Sequence, residues 1–216
     1  MSTRTGGLNL HDVRTWEPER ARLFLVRHGS SEGNRGGVLL GRGDPPLTHA
    51  GEAEADAAGA LLARRIRPGV RLFSSPLSRA RDSARRVGSH IGVPVRLAQA
   101  LVELDMGRIE GRRWDELPEE RARWDAGPER YRFPGGESLG DVVRRVEAWF
   151  VDAAAEHPGD TIVVAHLFVI LALSARLLRL PLDEILRFYI EPGGIIELHR
   201  AEDGARLHGL YPGKLI

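Results

Sequence analysis

Apolar residues along the chain come in short runs separated by longer stretches of helical period. The run Leu23-Phe24-Leu25-Val26, closed by Arg27-His28-Gly29, suits an inner strand of a parallel sheet, buried on both faces. Val70-Arg71-Leu72-Phe73 predicts a second strand, and Val93-Pro94-Val95 a short peripheral one. Thr161-Ile162-Val163-Val164-Ala165 is the most strand-like segment, and Gly194 to His199 predicts a last strand. Between these runs, Ala50, Ala53, Ala57, Ala58, Leu61 and Leu62 recur at helical spacing behind Thr48, a good N-cap. Ser74 to Ser78 turns into a helix carrying Arg79, Ala80, Ala84 and Val87. Ser138-Leu139-Gly140-Asp141 reads as a capping box with Asp in place of Glu. It opens an amphipathic helix with Val142, Val143, Val146, Trp149, Phe150 and Ala153 on one face. His166 leads into an apolar helix, Phe168 to Leu178, and Pro181 starts one more.

Strands alternating with helices predict an α/β fold: a three-layer α/β/α sandwich with a largely parallel central sheet. Residues 1–20 are polar and aperiodic, an N-terminal arm; 21–216 form a single domain. Within it, 104–137 shift in composition, with Trp114, Trp124, Tyr131 and many charges, and read as a lid-like insertion. Ser30 to Pro46 holds five Gly and two Pro and reads as a functional loop. Ligands of such sheets bind beyond the carboxyl ends of the strands. Two of the strongest strands end in the same way, at His28 and at His166.

A chain of 216 residues is long enough for a substantial core. Its 31 basic and 30 acidic residues leave no positive excess to argue for nucleic acid or an acidic membrane surface. Cysteine is absent, which excludes disulfides, thiolate zinc sites and Cys nucleophiles. The apolar stretch Leu167 to Leu173 is far short of the roughly 20 residues of a bilayer span. The first residues lack the apolar core of a secretory signal, so the expected location is cytoplasmic. Lys214 is the only lysine, so an anion site must be built from Arg, His and backbone N–H groups. No spacing typical of a metal site stands out, and no metal or cofactor is expected.

Arg27-His28-Gly29 alone is weak evidence, since composition yields about 0.13 occurrences by chance. The context is not weak. Arg27-His28-Gly29-Ser30-Ser31-Glu32-Gly33-Asn34 is followed by Gly41 to Thr48 with Gly51, then Ser74-Ser75-Pro76-Leu77-Ser78-Arg79-Ala80. Leu101-Val102-Glu103 comes next, with Gly107 and Glu110-Gly111, then Pro134-Gly135-Gly136-Glu137-Ser138 and Val163-Val164-Ala165-His166. From about Leu23 to about Arg200 this order resembles the histidine phosphatase superfamily, the phosphoglycerate-mutase-like phosphatases.

The resemblance implies an acid-type phosphatase, a phosphoric monoester hydrolase free of metal, acting on a small phosphorylated metabolite. His28 would be the nucleophile that carries the phosphoryl group. Arg27, Arg79 and His166 would hold the phosphate oxygens, with Asn34, Ser31, Gly41 and Leu167 as further substrate contacts, and Glu103 would be the general acid and base. The chemistry agrees: guanidinium forks match phosphate oxygens, and a neutral imidazole attacks through its own lone pair. A carboxyl of raised pKa can protonate a leaving alkoxide.

The pattern departs from the family at Leu167, where Gly is usual, and at Ser31, Gly33, Ser83 and Ile109. These departures bear on substrate rather than on phosphate chemistry. Arg42, Arg108, Arg112, Arg113 and Arg132 are expected to add contacts to an acidic substrate. Plainer readings stand beside each role. Glu103 could pair with Arg108 or Arg112, Arg79 with Asp82 or Asp141, and His166 could be a satisfied core histidine. Alternatives to hydrolysis are a cofactor-dependent phosphoglycerate mutase and a non-catalytic phospholigand-binding module. Oligomeric state is open, with a homodimer among the options.

Overall fold

β1 (Arg22–Arg27) has no solvent face. Leu23 and Leu25 pack on one side with Phe73, Val163 and Ala165, while Phe24 and Val26 pack on the other with Leu72, Ile162 and Val164. A computed structural model of the chain describes residues 21–34, 37–155, 159–201 and 204–215; the arm expected at 1–20 lies outside them. The further strands are β2 (Arg71–Ser74), β3 (Val95–Leu97), β4 (Thr161–Ala165), β5 (Phe188–Ala201) and β6 (Gly204–Leu215). The helices are α1 (His49–Ala63), α2 (Ser78–Ile91), α3 (Pro118–Ala126), α4 (Leu139–Ala155), α5 (Leu167–Leu178) and the short α6 (Leu182–Ile185).

Alternate residues of a strand point to opposite faces, so a sheet apolar on both needs cover on both. α1 and α2 supply one layer through Ala58, Leu62, Ala84 and Val87. α4 and α5 supply the other through Val142, Val146, Phe150 and Val169. Each large apolar side chain buried this way contributes roughly 1.5–3 kcal/mol. The capping box forms as expected: the Ser138 N–H and hydroxyl both donate to Asp141 at 2.8 Å, and the Asp141 N–H donates back to Ser138 Oγ at 3.2 Å.

The strand order is β3-β2-β4-β1-β5-β6. β1 with β4, β2 with β4 and β2 with β3 are parallel, while β5 runs antiparallel to β1 and to β6. This is the expected mostly parallel α/β/α sandwich, with one antiparallel side. The last strand is longer than Gly194 to His199, and β6 follows it unanticipated. Its residues lack a contiguous apolar run because β6 sits at the sheet edge. β3 begins at Val95 rather than Val93, since the Val93 N–H closes the end of α2 on the Gly88 carbonyl at 3.1 Å.

The terminal hairpin also gathers Glu197, His199 and His208, whose ligand-type atoms lie within 4.8 Å of one another. Glu197 is held by Arg65 at 3.2 Å and by His199 Nε2 at 2.8 Å. Sequence spacing could not show this grouping, because a register shift between Glu197 and Leu198 sets it. In segment 104–137 the two ends are core: Leu104, Met106, Ile109 and Phe133 are buried with the α4–α5 side. Only the middle, with α3, projects, and α3 has no buried residue. Among the described residues, no helix is long and apolar enough to cross a membrane.

Candidate active site

Strand register places the site. Arg27 pairs with Ala165, and the His28 N–H donates to the Ala165 carbonyl at 2.9 Å. The residues that follow each strand are thereby neighbours: the rings of His28 and His166 lie 5.0 Å apart at 62°. β2 ends in step with β4. The Ser75 N–H donates to the Val164 carbonyl at 3.1 Å, and Ser75 Oγ lies 2.8 Å from His166 Nε2. The loop after His28 leaves the sheet over the start of α1 so closely that a Cβ at Gly29 would come within 2.0 Å of the Gly51 carbonyl oxygen. Only glycine fits there.

His28 is buried, and its Nδ1 lies 2.7 Å from the Gly29 carbonyl oxygen. A carbonyl only accepts, so Nδ1 carries the proton and Nε2 presents a lone pair. Burial, then Arg79, and more weakly Arg27, push the His28 pKa down to about 3, against the opposing Gly29 contact. The imidazole is therefore neutral at physiological pH.

Arg79, 1% exposed in the first turn of α2, is held in position by three contacts. Its Nη1 donates to the Gly43 carbonyl at 2.6 Å, its Nη2 to the Gly41 carbonyl at 2.9 Å, and its Nε to His28 Nε2 at 3.3 Å. A guanidinium has five donors, so two stay free. Arg27 donates through Nη1 to the Ile190 carbonyl at 2.6 Å, and its guanidinium lies 5.2 Å from the Tyr189 ring centre. Arg27 Nε and His166 Nδ1 are both buried with no hydrogen-bond partner. Burial, followed by His28 and Arg79, holds the His166 pKa well below the usual imidazole range. If Ser75 donates its hydroxyl to Nε2 of this neutral ring, Nδ1 bears the hydrogen.

Glu103 is 5% exposed and pairs with neither Arg108 nor Arg112. Its Oε1 accepts the Leu104 N–H at 2.8 Å and its Oε2 the Phe168 N–H at 3.4 Å. Burial raises its pKa above the ordinary carboxyl value, and those contacts with Arg79 and Arg27 only partly offset the rise. Arg27, His28, Arg79 and Glu103 line one cavity of about 190 Å³. The rest of its lining is apolar: Val38, Leu39, Leu40, Met106, Trp114, Trp124, Phe133, Leu167 and Phe168.

Of the residues expected to touch substrate, Leu167 reaches this cavity and Gly41 stands behind it as a carbonyl anchor for Arg79. Ser31 is buried beside Leu47 in an isolated bridge and does not line the cavity. The side chain of Asn34 lies outside the described residues. The loop arginines are not at the cavity wall either. Arg42 pairs with Asp105 and Glu137, Arg112 with Glu116, Arg113 with Asp115 and Arg132 with Asp141.

Sequence reasoning gave no role to Ser75 or Ser83. Ser83 Oγ accepts the Gly29 N–H at 3.0 Å and donates to the Arg79 carbonyl at 2.7 Å, tying the His28 loop to α2. The available signal was its spacing, four residues beyond Arg79, which puts both on one helix face.

A sequence model of the histidine phosphatase superfamily (branch 1) matches residues 23–211. The chain is 30% identical to "Phosphoserine phosphatase 1" of Hydrogenobacter thermophilus, over 84% of this chain and 87% of that one. It is 34% identical to "Probable phosphoglycerate mutase GpmB" of Yersinia enterocolitica, over 74% and 75% respectively. Among solved structures, the mycobacterial glucosyl-3-phosphoglycerate phosphatase complexed with VO3 superposes with a TM-score of 0.78 at 30% identity, covering 87% of this chain and 96% of that one.

Proposed function

We propose, from the premise that this chain belongs to the histidine phosphatase superfamily, that it is a phosphomonoesterase. In this reading it hydrolyses a small phosphorylated metabolite in the cytoplasm through a phosphohistidine at His28. The observation that carries the reading is a set of buried polar nitrogens without partners on the residues next to His28. Arg27 Nε and His166 Nδ1 are buried without partners, and Arg79 keeps two spare donors beside His28 Nε2. Leaving a buried polar group unpaired costs about 1–3 kcal/mol, which a phosphate dianion among these groups would recover. The same donors would stabilise the charge of the transferring phosphoryl group in a dry site.

In the first step the His28 Nε2 lone pair attacks phosphorus while the ester P–O bond breaks. Glu103, whose hold on a proton burial strengthens, gives a proton to the departing oxygen, and the alcohol leaves. In the second step water attacks the phosphohistidine, Glu103 takes the water proton, and the N–P bond breaks to release inorganic phosphate. The middle of segment 104–137, from which Trp114 and Trp124 line the cavity, acts as its lid.

The mutase-type relative supplies the second reading, in which the phosphoryl group returns to another hydroxyl of a phosphoglycerate. Product analysis separates the two. The phosphomonoesterase releases inorganic phosphate from p-nitrophenyl phosphate and needs no primer. Steady interconversion of phosphoglycerates that depends on a bisphosphate primer would overturn it.

A further inference from the structure

The wall above the phosphate position indicates what kind of alcohol the ester carries. Among the described residues lining the cavity, Arg27 and Arg79 are the only cations, and both are anchored beside His28. Apart from His28 and Glu103, the remaining wall is aliphatic and aromatic. The Trp124 ring stands edge-on to Phe168 at 5.7 Å and lies 5.3 Å from Phe133, with Trp114 6.4 Å further round.

Among the described residues, Arg42 pairs with Asp105 at 3.1 Å and Arg132 with Asp141 at 2.6 Å, and neither lines the cavity. Against these indole and phenyl rings a carboxylate beside the ester would find no counter-ion among the described lining residues other than the two arginines at the phosphate position, which is unfavourable.

We infer that the alcohol portion of the substrate is uncharged and apolar next to the ester oxygen, lying against Trp124 and Phe168. The inference rests on the phosphomonoesterase reading. It gives Phe168 two tasks: its ring forms the wall, and its N–H holds the carboxylate of Glu103 at 3.4 Å. An apolar alcohol seated there excludes water from Glu103 and so reinforces the burial that favours its protonated form. The volume of about 190 Å³ suits a phosphoryl group with one small ring or a short branched chain. For comparison, about 150 Å³ of enclosed apolar space binds benzene. Leu167 fits the same scheme, adding hydrocarbon where a glycine would leave the site wider.

The test uses the full-length protein and three primary-alkyl phosphates, so that leaving-group acidity varies little: ethyl phosphate, 2-phenylethyl phosphate and O-phosphoserine. We expect kcat/KM for 2-phenylethyl phosphate to exceed both others by at least tenfold. In Trp124→Ala the ratio of 2-phenylethyl to ethyl phosphate should fall at least tenfold. Phe168→Leu reads the same ratio if the tryptophan variant does not fold. Phosphoserine equal to or better than 2-phenylethyl phosphate, or a ratio that the folded variants leave unchanged, overturns the inference alone. Absence of phosphate release from all three and from p-nitrophenyl phosphate overturns the underlying reading, and this inference with it.

Discussion

The Nε of Arg79 lies 3.3 Å from Nε2 of His28, on the lone pair left available by the Nδ1 contact to Gly29. The same guanidinium is clamped by the carbonyls of Gly41 and Gly43. Its orientation is thus preset by the two carbonyls, and only the Nε contact to His28 has to give way when phosphorus approaches Nε2. An ammonium cannot span two carbonyls and an imidazole as a planar fork does. Arg79→Lys should therefore lower kcat on p-nitrophenyl phosphate by about 10²–10³ and, by leaving the Gly41 or Gly43 carbonyl unpaired, lower the melting temperature as well. Steady-state kinetics beside a melting curve checks this, and a loss under threefold would contradict it.

Glu103 is assigned to the leaving oxygen, so its removal should matter in proportion to how badly that oxygen needs a proton. Glu103→Gln keeps the shape but loses the acid. Turnover of an alkyl phosphate should drop by about 10²–10⁴, and that of p-nitrophenyl phosphate, whose leaving group is already stable as an anion, far less. Equal losses on both substrates would count against the assignment. The parent's rate on alkyl phosphates should also fall as pH rises through the raised pKa of Glu103, and the variant should lack that limb.

Ser83 makes no contact with the cavity, yet it joins the Gly29 N–H to the Arg79 carbonyl. Ser83→Ala leaves that buried N–H without its partner, a cost of about 1–3 kcal/mol in unfolding free energy. Ser83→Thr retains the hydroxyl and should recover most of the loss. Urea titrations of both variants decide the point, and failure of threonine to do better than alanine would argue against the bond.

The buried imidazoles make stability depend on pH. His28, at about 3 in the folded protein and near 6.5 unfolded, binds more protons when unfolded between those values. It therefore favours folding above pH 6.5, and that contribution is lost as pH falls toward 3. His166 acts in the same direction. Glu103, with its raised pKa, acts oppositely: its contribution is present in acid and fades as pH rises from 4.5 through its folded value. Unfolding free energy should decline between pH 6.5 and 4, and more gently in His28→Gln. A parent and variant with the same slope would contradict this.

Much of this was readable before any coordinates. β1 and β4 announce themselves because strands buried on both faces need uninterrupted apolar residues, and their shared endings in histidine mark the site. Arg79 was identifiable from the turn after β2. β6 was not, because an edge strand owes its place to pairing with β5 rather than to an apolar run of its own. The aromatic wall was hidden for a related reason. Phe168 lies more than forty residues beyond Trp124, and the two rings meet only where the segment carrying Trp114 and Trp124 packs on α5. The loop arginines misled because guanidinium groups near a phosphate site suit acidic substrates and neighbouring carboxylates equally well. Arg42, Arg112, Arg113 and Arg132 all turned to carboxylates.

The central claim is a covalent bond between His28 Nε2 and phosphorus. Rapid quenching of the protein with a 32P-labelled phosphomonoester tests it most directly. The account predicts protein-bound label that survives base and is lost in acid, as a phosphoimidazole does, with none on His28→Asn. Label of undiminished amount on His28→Asn, or turnover by the parent with no labelled protein at any quench time, would contradict it.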